Sequence, residues 1–217
     1  MGKPFFALSD RAALVGEMLF SAYGNGAVGG SLRHDSPFQL LVAVVLSARC
    51  RDSSVNAVTA KLFFAAPTAS AVAAMDQQQL EDILHPLGFF RQKSRSLLGL
   101  SKKIVEDFSG FVPMNFADLE SLPGVGHKSA SVVLGLCGGI AAFPVDTHVF
   151  RLAKRWGLSG GKNIAAVERD LKMLYGKEIW MDLHLRMIAH GRLHCTARSC
   201  GENQCAICRQ LRSKPWL

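Results

Sequence analysis

Apolar residues recur along this chain at helical spacing almost everywhere, and nowhere in the sustained alternation that marks a half-buried strand. Ser9 to Ala22 can bury Leu14, Met18 and Leu19 on one side. Ser36 to Ala48 is apolar nearly all round, which predicts a central buried helix with Pro37 in its first turn. From Asp52 to Phe64 the pattern repeats at Val55, Val58 and Leu62. Thr68–Met75 and Gln77–Leu84 read as two short helices, the second ended by Pro86-Leu-Gly88. Arg91 to Phe108 reads as a long amphipathic helix with a basic face.

A short helix over Asn115–Glu120, a glycine hairpin and a helix from His127 to about Cys137 come next. Asp146–Trp156 stops at Gly157, a residue suited to the left-handed position after a helix. Asn163–Tyr175 and Lys177–His190 follow, and Gly191 is expected to end the latter. The remainder is cysteine-rich loop. With no strand and no repeat at a fixed period, the expectation is an all-α fold with short connections.

At 217 residues the chain can form one large domain or two modest ones. Its 49% hydrophobic and 19% charged content excludes disorder. The net charge is +8, and from Arg186 onward six Arg or Lys face a single acid, Glu202. That balance favours a polyanionic partner such as nucleic acid, although solvated surface charge gives the same composition. The apolar N-terminal stretch is interrupted by Asp10, Arg11 and Glu17, so it makes no export signal. Gly2 follows Met1, but Phe6 breaks the myristoylation pattern. The longest uncharged run, Ser129–Val145, is broken by Gly138-Gly139 and Pro144 and falls short of the roughly 20 residues of a membrane span. A soluble cytoplasmic protein without membrane contact is expected.

The richest segment is Leu122-Pro-Gly-Val-Gly-His-Lys128. Gly124 and Gly126 permit positive φ and let another backbone or a phosphate come close. A hairpin feeding a helix start also presents unpaired amides with the helix dipole behind them, an anion site that needs no side-chain charge. Taken alone, the same residues more often make just an ordinary turn. Lys128 sits in the first turn of the following helix, where a cation is disfavoured by about 0.3–1 kcal/mol. A nucleophilic amine must shed its proton, and bringing a lysine from about 10.4 to near neutrality costs roughly 4 kcal/mol. Desolvation would have to supply most of that; a plain surface lysine is the other reading. Eighteen positions later, Asp146 in Val145-Asp-Thr-His148 precedes a periodic run, as a helix N-cap does. A capping carboxylate can also stabilise a developing sugar cation or help activate the amine.

Phe38-Gln-Leu-Leu, Leu46-Ser-Ala, Leu122-Pro-Gly-Val-Gly-His-Lys-Ser-Ala130, Val145-Asp-Thr-His-Val-Phe-Arg151 and His190-Gly-Arg-x-x-Cys195 stand in the order and spacing of one known family. Over roughly residues 9 to 208 the chain resembles endonuclease III, the bifunctional DNA glycosylases and abasic-site lyases of the helix-hairpin-helix superfamily. The resemblance implies removal of oxidised pyrimidines in base excision repair, with Lys128 as the nucleophile and Asp146 as the essential carboxylate. Glu120 falls at an acidic position of the family pattern and is a candidate accessory residue. Lys128 would expel the base, form a Schiff base with the opened sugar and cleave the strand 3′ to the abasic site by β-elimination. Such chemistry needs the nucleotide flipped out of damaged double-stranded DNA. Leu122, Gly124, Val125, Gly126 and His127 are the implied phosphate-gripping hairpin, and His148 is a further candidate for the DNA face. The positions that fill the vacated stack are Arg49 and Phe89, where the family commonly has glutamine and an aliphatic residue. Both departures leave the preferred opposite base open.

Cys195, Cys200, Cys205 and Cys208 are separated by four, four and two residues. Four such thiols suit zinc or an iron–sulfur cluster, and spacing alone does not separate the two. The resemblance implies a 4Fe-4S cluster, although the usual family spacing is six, two and five; zinc or no metal is the alternative. The shortened first loop, Thr196-Ala-Arg-Ser199, keeps one basic residue, Arg198, so its DNA contact is expected to be weaker or relocated. Cys50 and Cys137 read as small buried apolar residues.

Two helical lobes are therefore expected. Residues 30–140 would form a bundle containing the helix-hairpin-helix at about 115–137. Residues 1–29 with 141–217 would form the second lobe, carrying the cysteine-ligated metal loop. The enzyme is expected to act as a monomer. Two rival functions remain: a sister glycosylase for pyrimidine dimers or other lesions, and a non-catalytic helix-hairpin-helix module that binds DNA.

Overall fold

A computed structural model describes residues 7–24, 32–198, 200 and 205–213. Met1, Gly2, Phe6, Ser199, Glu202 and Lys214, the last of the six basic residues from Arg186 onward, lie outside the described residues. All regular structure among the described residues is helical. The chain divides into two compact units, Gly30–Ile140 and Met1–Gly29 with Ala141–Leu217. Lys128 belongs to the first and Asp146 to the second.

The Gly30–Ile140 unit is built around α2 (Pro37–Leu46), in which every residue from Phe38 to Leu46 is buried. Ser36 caps it by accepting from the Gln39 amide at 3.3 Å, and Gln39 reaches back to the Asp35 amide at 2.8 Å. A helix apolar on all sides must be surrounded. It packs on α3 (Asp52–Ala65), α6 (Phe90–Phe108) and α8 (His127–Cys137). The short α4 (Ala69–Ala73) and α5 (Gln77–Leu84) lie on α6, and α7 (Phe116–Glu120) lies on α8.

In the other unit, α9 (Thr147–Arg155) packs on α10 (Ile164–Leu174) and α11 (Trp180–Leu193). The N-terminal α1 (Leu8–Tyr23) closes over α11 and α12 (Ala206–Arg212), which explains why the two ends of the chain share a unit. In α1, Leu19 is fully buried as expected, but Ala12 and Val15 lead the inner face, while Leu14 and Met18 are only partly covered. Gly157 has φ +64°, and the amides of Gly157 and Leu158 bond to Lys154 O and Ala153 O, the double closure of a left-handed helix end.

One helix end differs from expectation. Helix α11 starts at Trp180, after a 3₁₀ turn over Lys177–Ile179, and runs straight through Gly191 to Leu193. Gly191 is buried, and a Cβ there would lie 3.0 Å from His148 Nδ1 and 3.1 Å from an Arg151 guanidinium nitrogen. This glycine permits close packing of α9 on α11 instead of stopping the helix. No helix among the described residues is long and apolar enough to cross a membrane.

Candidate functional site

The hairpin begins where Asn115 caps α7, accepting from the Asp118 amide at 2.9 Å. Leu119, Leu122 and Val125 are buried, and the amides of Leu122 and Val125 bond to Leu119 O and Leu122 O. The side chains of Leu122 and Val125 are therefore anchors, and their amides are already bonded within the turn. Gly124 has φ +81°, and a Cβ there would lie 2.9 Å from Ser96 Cβ, so the turn needs glycine for both conformation and space. Gly126 is different: its φ is −105°, and a Cβ would meet nothing within 4 Å. Neither strain nor packing within the chain requires glycine at 126, whereas close approach of an external group would. No side chain caps α8, so its first turn has the form of an anion-binding helix start.

Lys128 is half-buried in that first turn. Beside it, His127 stacks on Phe116 with ring centroids 5.0 Å apart, and its Nδ1 donates to Glu120 Oε1 at 2.7 Å. Glu120 and His127 thus tie the end of α7 to the start of α8. The sequence reading missed the Phe116 platform, which aromatic spacing alone does not reveal.

Arg49 and Phe89 both occupy the left-handed region, at φ 56° and 60°. For side chains of this size that conformation costs about 1–2 kcal/mol each and needs a reason. Phe89 is 59% exposed, and the Arg49 guanidinium lies 5.5 Å from its ring centroid. The two loops adjoin a cavity of about 340 Å³ that also touches Gly124. Cys50 and Cys137 are half-buried, not buried as expected. Cys50 Sγ accepts from the buried Lys93 amine at 2.8 Å, tying the Arg49 loop to α6.

In the second unit, Asp146 caps α9: its Oδ1 accepts from the amides of His148 and Val149, both at 2.8 Å. With Phe150, Lys162 and Ile164 it lines an open cavity of about 650 Å³. Burial lowers the His148 pKa, outweighing the opposing pull of Asp146, and Arg151 lowers it further. Arg151 lies 3.3 Å from His148 Nδ1 and donates to Gly191 O at 3.0 Å and Cys195 O at 2.9 Å. Asp146, His148 and Arg151 thus connect the cap of α9 to the first cysteine. Arg151 was not singled out from the sequence, because its partners lie 40 and 44 residues downstream.

All four sulfurs of Cys195, Cys200, Cys205 and Cys208 lie within 4.8 Å of one another. Arg155 donates to Cys195 Sγ at 3.1 Å and to Thr196 O at 2.8 Å. His190 Nε2 lies 3.2 Å from Cys205 Sγ, while its Nδ1 lies 3.3 Å from the Tyr23 hydroxyl. Hydrogen bonds from Cys205, Cys208 and Arg155 pull Cys195 far below the ordinary thiol range. The contact with Cys195 pushes Cys205 up to about 12 and Cys208 higher still. A cation bound by thiolates displaces the protons that the thiols carry. Around a single tetrahedral zinc, with bonds of about 2.3 Å, sulfurs sit about 3.8 Å apart. Cys195 and Cys208 already have that spacing, 3.8 Å. The donor set fits a thiolate-loving metal.

Residues 42–177 match the HhH-GPD superfamily base excision DNA repair protein family. Endonuclease III of Synechocystis sp. is 46% identical over 179 residues, covering 81% of this chain and 82% of the relative. The chain is a member of the endonuclease III family. Endonuclease III of Treponema pallidum is 43% identical, over 82% of this chain and 84% of its own length. The Escherichia coli K12 enzyme is 38% identical, over 81% and 83%. A trapped endonuclease III–DNA covalent intermediate superposes with a TM-score of 0.87 at 34% identity, covering 94% of this chain and 97% of that one. A non-covalent endonuclease III–DNA complex gives 0.88 at the same identity and coverage. A thermostable thymine-DNA glycosylase shares the fold at 0.81 and 19% identity.

Proposed function

We propose that this endonuclease III family member is a bifunctional DNA glycosylase and abasic-site lyase of base excision repair, acting as a monomer on oxidised pyrimidines in duplex DNA. The observation that carries the reading is Lys128 in the first turn of an uncapped helix behind an open glycine hairpin, in a chain 34% identical to one trapped covalently on DNA.

The hairpin amides and the start of α8 grip a phosphate of the damaged strand. The neutral Lys128 Nζ attacks the anomeric carbon, and the base departs with the electron pair of the glycosidic bond. Ring opening and proton transfer leave an iminium linking Nζ to the sugar. Loss of a proton from the adjacent carbon then expels the 3′ phosphate, breaking the strand. Asp146 offsets the positive charge that builds on the sugar as the base leaves. Arg49 and Phe89 occupy the space the flipped nucleotide vacates. His148 stands near Asp146 as a neutral polar contact on the DNA face.

The four cysteines hold a 4Fe-4S cluster, which supplies structural support to the loop, since neither nucleophile nor acid comes from it. Support comes from family membership, from the all-thiol donor set, and from the cavity beside Cys200 and Cys208, which gives a larger group room to spread the sulfurs.

Asp146→Asn separates chemistry from folding, because asparagine caps a helix as well as aspartate does. The variant is expected to keep its melting temperature within a few degrees while base excision falls at least about 100-fold, the scale of losing one electrostatic stabiliser. Full activity in the variant contradicts the assignment. Parallel assays on thymine glycol and pyrimidine-dimer duplexes decide between the two lesion classes.

A further inference from the structure

Arg49 and Phe89 stand in the left-handed region on separate loops, and both side chains are exposed. Neither gains from its own burial what its backbone loses, and such conformations persist only where surrounding contacts enforce them. On one loop, the Cys50 amide bonds to Ser47 O at 3.0 Å, closing the turn that leaves α2. On the other, the Phe89 carbonyl accepts from the Gln92 and Lys93 amides, both at 3.0 Å, and so starts α6. These bonds are local to each loop and do not place one residue relative to the other.

Lys93 supplies the link. Its backbone amide holds the Phe89 carbonyl, while its side-chain amine, 43 residues away in sequence, donates to Cys50 Sγ at 2.8 Å. Lys93 is only 6% exposed, a degree of burial that lysine reaches when its polar head is engaged. Cys50 follows Arg49 directly, so a single buried residue is bonded to both loops. At the surface, the Arg49 guanidinium lies 5.5 Å from the Phe89 ring centroid, and both line one cavity with Lys93.

We propose that Lys93, acting through Cys50, is a positioning residue that joins Arg49 and Phe89 into one wedge. The inference rests on the glycosylase reading, in which those two residues fill the space left by the flipped nucleotide, and adds what holds them in register. It separates the two chemical steps. Expelling a base requires the intact nucleotide out of the stack, and the wedge offsets the stacking and pairing lost there. A preformed abasic site has no base to unstack, so its cleavage depends little on the wedge. Cutting the link therefore slows base excision and spares strand cleavage.

The test compares single-turnover rates of the full-length protein on a thymine glycol duplex and on an abasic-site duplex. Lys93→Met keeps the length of the side chain and removes its donor; Cys50→Ala removes the acceptor, and Cys50→Ser keeps one. Lys93→Met and Cys50→Ala are each expected to slow excision roughly 5- to 10-fold, the scale of one hydrogen bond, with abasic-site cleavage within about twofold of wild type. Cys50→Ser should retain the wild-type excision rate. The double variant Lys93→Met/Cys50→Ala should be no slower than the slower single variant, because both changes cut the same link. Equal loss of both activities in Lys93→Met, excision losses that add in the double variant, or unchanged excision in a folded Lys93→Met protein overturns the proposal. Should Lys93→Met fail to fold, the two Cys50 variants decide, and equal excision by alanine and serine at that position overturns it. A wild-type protein that excises no thymine glycol overturns the glycosylase reading itself, a result distinct from all of these.

Discussion

Arg49 offers five N–H donors and no acceptor. Its guanidinium stands beside the exposed Phe89 ring, on backbone held in the left-handed region. On the proposed reading, a base left unpaired opposite the lesion would meet a donor-only reader there; guanine offers it two acceptors, O6 and N7, where adenine offers N7 beside a competing amine. Lesions opposite guanine are therefore expected to be processed faster than those opposite adenine, by about 1–3 kcal/mol or roughly 5- to 150-fold. Arg49→Gln, whose amide both donates and accepts, should erase or reverse that order. Single-turnover rates on matched duplexes check it, and equal rates for the two bases in the wild-type protein contradict it. The hairpin and the cap were legible because local sequence specifies them: two glycines and a lysine spell a hairpin and a helix start, and Asp146 spells a cap, whereas Arg49 and Phe89 were picked out only by the family resemblance. Arg151 was not legible, because its significance lies in carbonyls that only the fold brings near.

Between elements, packing decided what periodicity could not. Gly191 looked like a helix end because glycine usually punctuates; in the structure it is where α9 presses on α11. Gly191→Ala should therefore destabilise the protein by about 1–3 kcal/mol, the cost of overpacking a close contact. A urea midpoint unchanged from wild type contradicts that account. A pH dependence belongs at this scale as well. Tyr175, buried beneath α1, donates to Ala12 O at 3.0 Å, and burial pushes its phenol well above the ordinary value. The unfolded chain ionises there at about pH 10, while the folded chain holds its proton. The contribution is thus complete below about pH 10 and is lost as pH rises beyond it. Tyr175→Phe should lose about 1 kcal/mol at neutral pH with its hydrogen bond, yet decline less steeply at alkaline pH. Parallel melting curves of the two proteins would contradict this.

Over the whole chain, the helical pattern, the membership in one family and the basic surplus agree with one another. The positive charge predicts binding that weakens steeply with salt, because each phosphate contact releases counterions. A log–log plot of affinity for lesion duplex against salt concentration should therefore be linear with a negative slope. Affinity independent of salt between low and physiological ionic strength would remove phosphate contact from the account. The two-unit division could not be fixed from periodicity, because α1 joins the C-terminal helices through contacts more than a hundred residues apart in sequence. The central claim is the amine nucleophile, and borohydride trapping measures it most directly. On duplexes carrying thymine glycol or an abasic site, the wild-type protein should yield a covalent protein–DNA adduct that Lys128→Ala does not. An adduct that survives in Lys128→Ala, or no adduct with the wild-type protein on either duplex, would contradict the account.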